Sequence, residues 1–316
     1  MKTALISHPD CLKHELPPGH PERPERLREI LDILDVPEFS GVIRRDAPRA
    51  GMAELLRVHS EDHVRGILDA IPDSGFVSVD SDTLASPGTG EAALRAAGAV
   101  VLAIDMVAAG EARNAFCAVR PPGHHATATQ AMGFCFFNNV AVGALHARAV
   151  HGLRRIAVVD FDVHHGNGTQ DIFSSDRELF YASTHQSPLY PGTGRASETG
   201  IDHNVVNLPL APGTSGPGFR KAFETGVLPA VSSFQPELLI ISAGFDAHRA
   251  DPLAQLRLDE EDFAWATEAL CRIAGRLCRG RVVSSLEGGY DLEATARSAR
   301  AHVRALMAAA AGNPNG

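Results

Sequence analysis

The chain is punctuated by short apolar runs, and each stops at a cluster of Gly, His, Asp or Glu. Leu238-Leu239-Ile240-Ile241-Ser242 reads as a buried strand and leads into Gly244-Phe245-Asp246-Ala247-His248-Arg249-Ala250-Asp251-Pro252-Leu253. Arg155-Ile156-Ala157-Val158-Val159 leads into Asp160-Phe161-Asp162-Val163-His164-His165-Gly166-Asn167-Gly168. Ala115 to Val119 precedes Arg120-Pro121-Pro122-Gly123-His124-His125-Ala126, and Val282 to Ser285 precedes Leu286-Glu287-Gly288-Gly289-Tyr290-Asp291. Further strands are predicted at Leu5–Ser7, 179–183 and Val205–Leu208. Helical patterns separate them: a helix to about Leu34, then Ser60–Ile71, Ala92–Ala109, Asn138–Val150, Gly218–Val227, 259–278 and Leu292–Ala310. Strands alternating with helices predict right-handed βαβ units, hence an α/β fold with a mostly parallel sheet flanked by helices. No repeat, linker or composition break divides the chain, so residues 1–316 are expected to form one domain with a frayed tail over 311–316.

A parallel sheet gathers the carboxyl ends of its strands along one edge, where ligands bind. The four clusters are therefore expected to meet in space. Side chains at i and i+2 of an extended segment share a face, so Asp162 and His164 can address one ion while Asp160 supports them. With Asp246 they make a two-carboxylate, one-imidazole set without thiolates, which leaves a position open for water and substrate. Zinc, Fe(II), Co or Mn could use that set. His124 and His125 suit proton transfer, and Tyr290 on a Gly-Gly loop suits hydrogen-bond donation to an oxyanion.

Composition narrows the function classes. A formal charge of −9 argues against a nucleic-acid partner, since phosphate affinity needs clustered Lys and Arg. The five cysteines form no CxxC pair and read as reduced thiols. The apolar start at Met1–His8 is too short for a signal peptide, and the Ala97–Ala109 stretch is interrupted by Asp105, so no membrane partner and a cytoplasmic location are expected.

Together these segments, with His20-Pro21-Glu22-Arg23-Pro24-Glu25-Arg26, Gly133-Phe134-Cys135-Phe136-Phe137-Asn138-Asn139 and Tyr190-Pro191-Gly192-Thr193-Gly194, closely resemble the zinc-dependent histone deacetylase superfamily. That superfamily includes acetylpolyamine amidohydrolases and acetoin-utilisation-type proteins, and the resemblance implies the arginase/deacetylase fold. It implies that Asp162, His164 and Asp246 bind zinc, with Fe²⁺ or Co²⁺ as substitutes. His125 would be the general base and then the acid, His124 an electrostatic partner bonded to Asp160, and Tyr290 the carbonyl-polarising donor. Asn167 behind His125 resembles class II, where class I carries Asp, and supports an imidazolium less strongly. Phe134 and Tyr190 would wall a substrate channel, with Gly133 allowing close backbone approach and Leu253 at its rim. Arg26 would line an acetate cavity, or else be a solvated helix residue. A structural potassium ion would sit near Asp160, Asp162, His164, Ser183 and Thr184, and a second near Phe173, Asp176 and Leu179.

The expected reaction is hydrolysis of an acetyl or short acyl amide on a primary amine. In polyamine-selective relatives an acidic gatekeeper can sit seven residues beyond the last zinc-binding Asp. Leu253 occupies that position and tilts the choice towards acetyl-lysine over acetylpolyamine. Asp80 and Asp82 could recognise an ammonium instead, but read as solvated loop residues. Two alternatives are an arginase-like ureohydrolase, suggested by Asp246-Ala247-His248, and a non-catalytic acetyl-lysine binder. Oligomeric state is left open, a homo-oligomer included.

Overall fold

Leu238–Ala243 lies at the middle of the sheet, which explains why it carries no outward-facing polar alternation. In a computed structural model that describes residues 1–312, the strands are β1 (Thr3–Ser7), β2 (Ile43–Asp46), β3 (Val77–Ser78), β4 (Leu84–Ala85), β5 (Asn114–Cys117), β6 (Ile156–Asp160), β7 (Leu179–Gln186), β8 (Val205–Leu210), β9 (Leu238–Ala243) and β10 (Val282–Leu286). Eight of them form one parallel sheet in the order β2-β1-β5-β10-β9-β6-β7-β8, while β3 and β4 make a separate antiparallel pair. The helices are α1 (Glu25–Ile33), α2 (Met52–Leu55), α3 (Glu61–Asp69), α4 (Thr89–Ala109), α5 (Asn139–His151), α6 (Asn167–Phe173), α7 (Gly216–Ala222), α8 (Leu228–Phe234), α9 (Glu260–Leu277) and α10 (Leu292–Ala311). A π-helical turn over Phe223–Val227 joins α7 to α8, so the helix predicted at Gly218–Val227 runs further, in three pieces.

The strand order positions the site. After β5 the chain skips two places to β6, builds outwards through β7 and β8, and returns to insert β9 and β10 into the gap. The carboxyl ends of β5, β10, β9 and β6 become neighbours: Asp160 is level with Ser242, Ser242 with Ser285, and Ser285 with Cys117. Every residue of these four strands is buried, so helices must cover both faces of the sheet. α4 packs on α5, and α10 packs on both α1 and α9.

Helix α4 is the one described helix long and apolar enough to cross a membrane, but 72% of its apolar window is buried inside the fold. Its apolarity is therefore used for packing. Ala311 closes α10; of the tail expected to fray, 313–316 lie outside the described residues. The strand β2, absent from the sequence reading, sits at the sheet edge, where Ile43-Arg44-Arg45-Asp46 needs little apolar character.

Candidate active site and metal centre

The segment after β6 turns its side chains inwards through its own backbone. Asp160 Oδ1 accepts the Asp162 N–H at 3.1 Å, and Asp162 Oδ1 accepts the His164 N–H at 2.8 Å. Two other strands complete the cradle. Asp246 Oδ1, from the loop after β9, accepts the Val163 N–H at 2.8 Å, and Asp162 Oδ2 accepts the Gly288 N–H, after β10, at 2.8 Å. His164 Nδ1 then lies 3.1 Å from both Asp162 Oδ1 and Asp246 Oδ2. The donor atoms of Asp162, His164 and Asp246 all lie within 4.8 Å of one another, and both carboxylates are fully buried.

Such a set fits a divalent cation. Burial opposes charge on His164, yet hydrogen bonds to Asp162 and Asp246 raise its pKa to about 10. Burial and the Asp162 charge both push the Asp246 carboxyl up. Two buried acids around one imidazole need balancing positive charge, which a divalent cation would supply. Gly288 leaves room for this packing, because a Cβ there would stand 2.0 Å from Asp246 Oδ2.

The tandem histidines face different partners. His124 Nδ1 is 3.0 Å from Asp160 Oδ2, which also accepts the Tyr181 hydroxyl at 3.0 Å. Burial opposes charge on His124, but Asp162 and Asp160 overcome it and raise its pKa to about 10. His125 Nδ1 is 2.8 Å from Asn167 Oδ1. Burial, followed by the charges of His124 and His164, holds His125 well below the ordinary histidine range. Tyr290 is buried; its N–H donates to Asp251 Oδ2 at 2.8 Å, and burial above all raises its hydroxyl pKa.

Residues 20–306 match the histone deacetylase domain. The chain belongs to the histone deacetylase family. It is 38% identical to a probable deacetylase of Archaeoglobus fulgidus over 299 residues, covering 93% of this chain and 82% of that protein. It is 42% identical to the histone deacetylase-like amidohydrolase of Pseudomonas aeruginosa over 251 residues, 78% of this chain and 66% of that protein. Against Histone deacetylase 14, chloroplastic, of Arabidopsis thaliana it is 40% identical over 271 residues, 82% of this chain; the match spans just under two thirds, 64%, of that longer relative. The crystal structure of the HDA15 HD domain superposes with a TM-score of 0.92 at 37% identity, covering 97% of this chain and 88% of that one. The family consists of hydrolases acting on acetylated amides, typically with zinc.

Within this deacetylase fold, Gly133 and Phe134 both adopt the left-handed region, at φ 58° and 66°. A Cβ on Gly133 would stand 2.4 Å from His125 Cδ2, so only glycine lets the loop close over the histidine. Phe134 packs edge-on against Tyr290 and His20, with centroids 6.1 and 4.9 Å apart. Tyr190 stands edge-on to His125 and His164, at 5.2 and 6.2 Å. The two rings thus take different walls. Asp82, expected to be solvated, is half-buried: it accepts the Gly133 N–H at 2.9 Å, and after burial its charge is the next cause that raises the Tyr190 hydroxyl pKa. Leu253 is half-buried, its N–H held by Asp251 Oδ1 at 2.9 Å.

Arg26 is fully buried, which removes the solvated-helix alternative. Its guanidinium donates to Glu22 Oε1, Gly289 O and Glu287 O at 2.8, 2.5 and 2.6 Å, and lies 4.8 Å over the Tyr290 ring. Sequence reasoning passed over Glu22, Glu287 and Asp251, although all three lie within segments it singled out. Glu22 receives Arg120 in a two-pronged pair at 2.6 Å and lies 3.4 Å from His14 Nε2. Glu287 Oε2 accepts the N–H groups of Gly123 and His124 at 2.7 and 3.1 Å, tying the tandem histidines to the Gly-Gly loop.

The cation expectations divide. Asp160 and Ser183 are register partners, but Ser183 Oγ already lies 2.9 Å from His185 Nδ1, and Thr184 is buried with its Oγ1 unpartnered. At the second position the carbonyls of Phe173, Asp176 and Leu179 converge instead on Asn204 Nδ2, at 2.8, 3.0 and 2.8 Å. An amide donor fills that place. His248 also departs from the ureohydrolase pattern: its Nδ1 accepts the Ala250 N–H at 3.1 Å and its Nε2 faces Glu260 at 3.6 Å, away from the cluster.

Proposed function

We propose that this chain is a zinc-dependent amidohydrolase that removes acetyl groups from N-acetylated primary amines, acetyl-lysine side chains foremost. The observation that carries the reading is His164 Nδ1 standing 3.1 Å from two buried carboxylates, with the His125 ring 6.0 Å from the His164 ring and His124 Nε2 3.9 Å from Asp162 Oδ2. A divalent ion held by Asp162, His164 and Asp246 would polarise the acyl carbonyl and acidify water.

The chain's own residues supply the rest. His125 is kept neutral, with Nδ1 engaged by Asn167, which leaves Nε2 to take the proton from water and later return one to the departing amine. His124, raised to about 10, stays an imidazolium and supplies fixed positive charge beside Asp160 and Asp162. Tyr290 retains its hydroxyl proton and donates it as a hydrogen bond to the developing oxyanion. Phe134 and Tyr190 enclose an aliphatic chain and exclude water around the amide. A structural monovalent cation, potassium, is proposed between Asp160, Asp162, His164, Ser183 and Thr184; the alignment of Asp160 with Ser183 supports it.

Leu253 offers no charge to a second ammonium and favours lysine. The Asp82 carboxylate beside Tyr190 favours an acetylpolyamine as the second reading. The test is acetate release by zinc-loaded protein from acetyl-lysine peptides and from acetylpolyamines. Acetate from the peptide at the higher kcat/KM supports the first reading, the reverse order supports the second, and none from either class overturns both.

A further inference from the structure

Far from this centre, a second group of imidazole and carboxylate side chains meets where α4 packs on α5. Asp105, one turn before the end of α4, places Oδ1 2.7 Å from His146 Nε2 and 2.6 Å from His151 Nε2, both on α5. His146 is buried, while Asp105 and His151 are half-exposed, so solvent reaches the cluster. All three donor atoms lie within 4.8 Å of one another. The N-terminus of α5 lies beside the catalytic loop, where Asn138 Nδ2 donates to Ala126 O, but His151 is the last residue of the helix. At 1.5 Å per residue, the length of α5 puts roughly 18 Å between its ends.

We propose that Asp105, His146 and His151 form a second zinc site, which clamps the C-terminal ends of α4 and α5. Two imidazoles and one carboxylate suit zinc, and the half-exposed position leaves water to complete a tetrahedron. Donors bound to one zinc stand about 3.3 Å apart, from bonds near 2.0 Å in tetrahedral geometry. The catalytic donors are already spaced close to this, with His164 Nδ1 3.1 Å from each carboxylate. The α4–α5 group is drawn in to hydrogen-bond distances, so an ion must open it by roughly 0.6 Å, within side-chain rotation. Arg57 adds a second barrier, because its Nη1 lies 3.2 Å from His146 Nδ1 and occupies the nitrogen that must carry the proton when Nε2 binds metal. The site is therefore weaker than the catalytic one, and Arg57 holds it back.

The test is zinc content after equilibrium dialysis against zinc, read for the whole chain and for Asp105→Asn and His151→Gln. Each variant is expected to hold one equivalent fewer than the unmodified chain and to show a smaller zinc-induced rise in thermal midpoint. Arg57→Gln, whose carbonyl can accept from His146 Nδ1, is expected to tighten the second equivalent at least threefold, a gain that misfolding cannot produce. Adding Asp105→Asn to Asp246→Asn should remove one further equivalent, so the catalytic reading and this one fail separately. Equal zinc content in the unmodified chain and both variants, or no tightening in Arg57→Gln, would overturn the proposal.

Discussion

His125 Nδ1 lies 2.8 Å from Asn167 Oδ1, so an amide and not a carboxylate stands behind the proposed base. The amide orients the ring without stabilising its cation, and burial keeps His125 below the ordinary histidine range. Asn167→Asp places a negative charge at hydrogen-bond distance, which favours the imidazolium. The catalytic form is neutral, so the acid limb of the kcat/KM profile should move up by about one pH unit or more. An unmoved limb in pH–rate measurements would remove His125 from the base role.

Tyr290 is set by Asp251 through its backbone N–H at 2.8 Å, while its ring is held between Arg26 and Phe134. Tyr290→Phe keeps that packing and removes only the hydroxyl. Loss of one oxyanion donor lowers kcat by about 100- to 1000-fold. Steady-state kinetics should show this fall with an unchanged circular dichroism spectrum.

Buried charge around Glu22 is balanced closely. Burial opposes its ionisation, but Arg120, His14 and Arg26 outweigh this and hold its carboxyl well below the usual range. Glu22→Ala leaves Arg26 and Arg120 buried without their acid, a change that costs about 3–5 kcal/mol. Urea unfolding should show an unfolding free energy lower by that amount, read as a fall in midpoint at unchanged m.

These relationships divide what could be read in the chain from what could not. The catalytic clusters were legible because each is local: an apolar run ends, and Asp162 with His164, or Glu287 with Tyr290, follows within a few residues. Adjacency of the runs followed from parallel-sheet geometry, although only the structure shows β9 and β10 inserted between β5 and β6. The buried network was not legible, since Arg120 meets Glu22 and Arg26 meets the Gly289 carbonyl over separations of 98 and 263 residues. The place of Asn204 was hidden for the same reason: its Nδ2 lies among three carbonyls of another segment, and no motif marks it. Asp82 resembled any acidic turn residue until its bond to the Gly133 N–H placed it beside the Gly133-Phe134 loop.

Acid should destabilise the fold through histidines buried in neutral form. His302 bridges Thr267 and Ser284 at 2.6 and 2.8 Å, and burial lowers its pKa to about 3; burial likewise lowers His59 to about 3 and His185 to about 4. Between those values and 6.5, the folded chain binds fewer protons than the unfolded one. The stability they contribute is complete above pH 6.5 and is lost as pH falls towards 3 to 4. At pH 5, His302 alone accounts for roughly 2 kcal/mol. His302→Gln should flatten the pH dependence of the urea unfolding free energy between 7.5 and 5 by about that amount.

The central claim is that one divalent ion held by Asp162, His164 and Asp246 is required for turnover. Acetate release from an acetyl-lysine peptide should vanish after chelation, return with one equivalent of zinc, and stay absent in zinc-treated Asp246→Asn. Full turnover by the chelated protein, or by Asp246→Asn, would contradict the account.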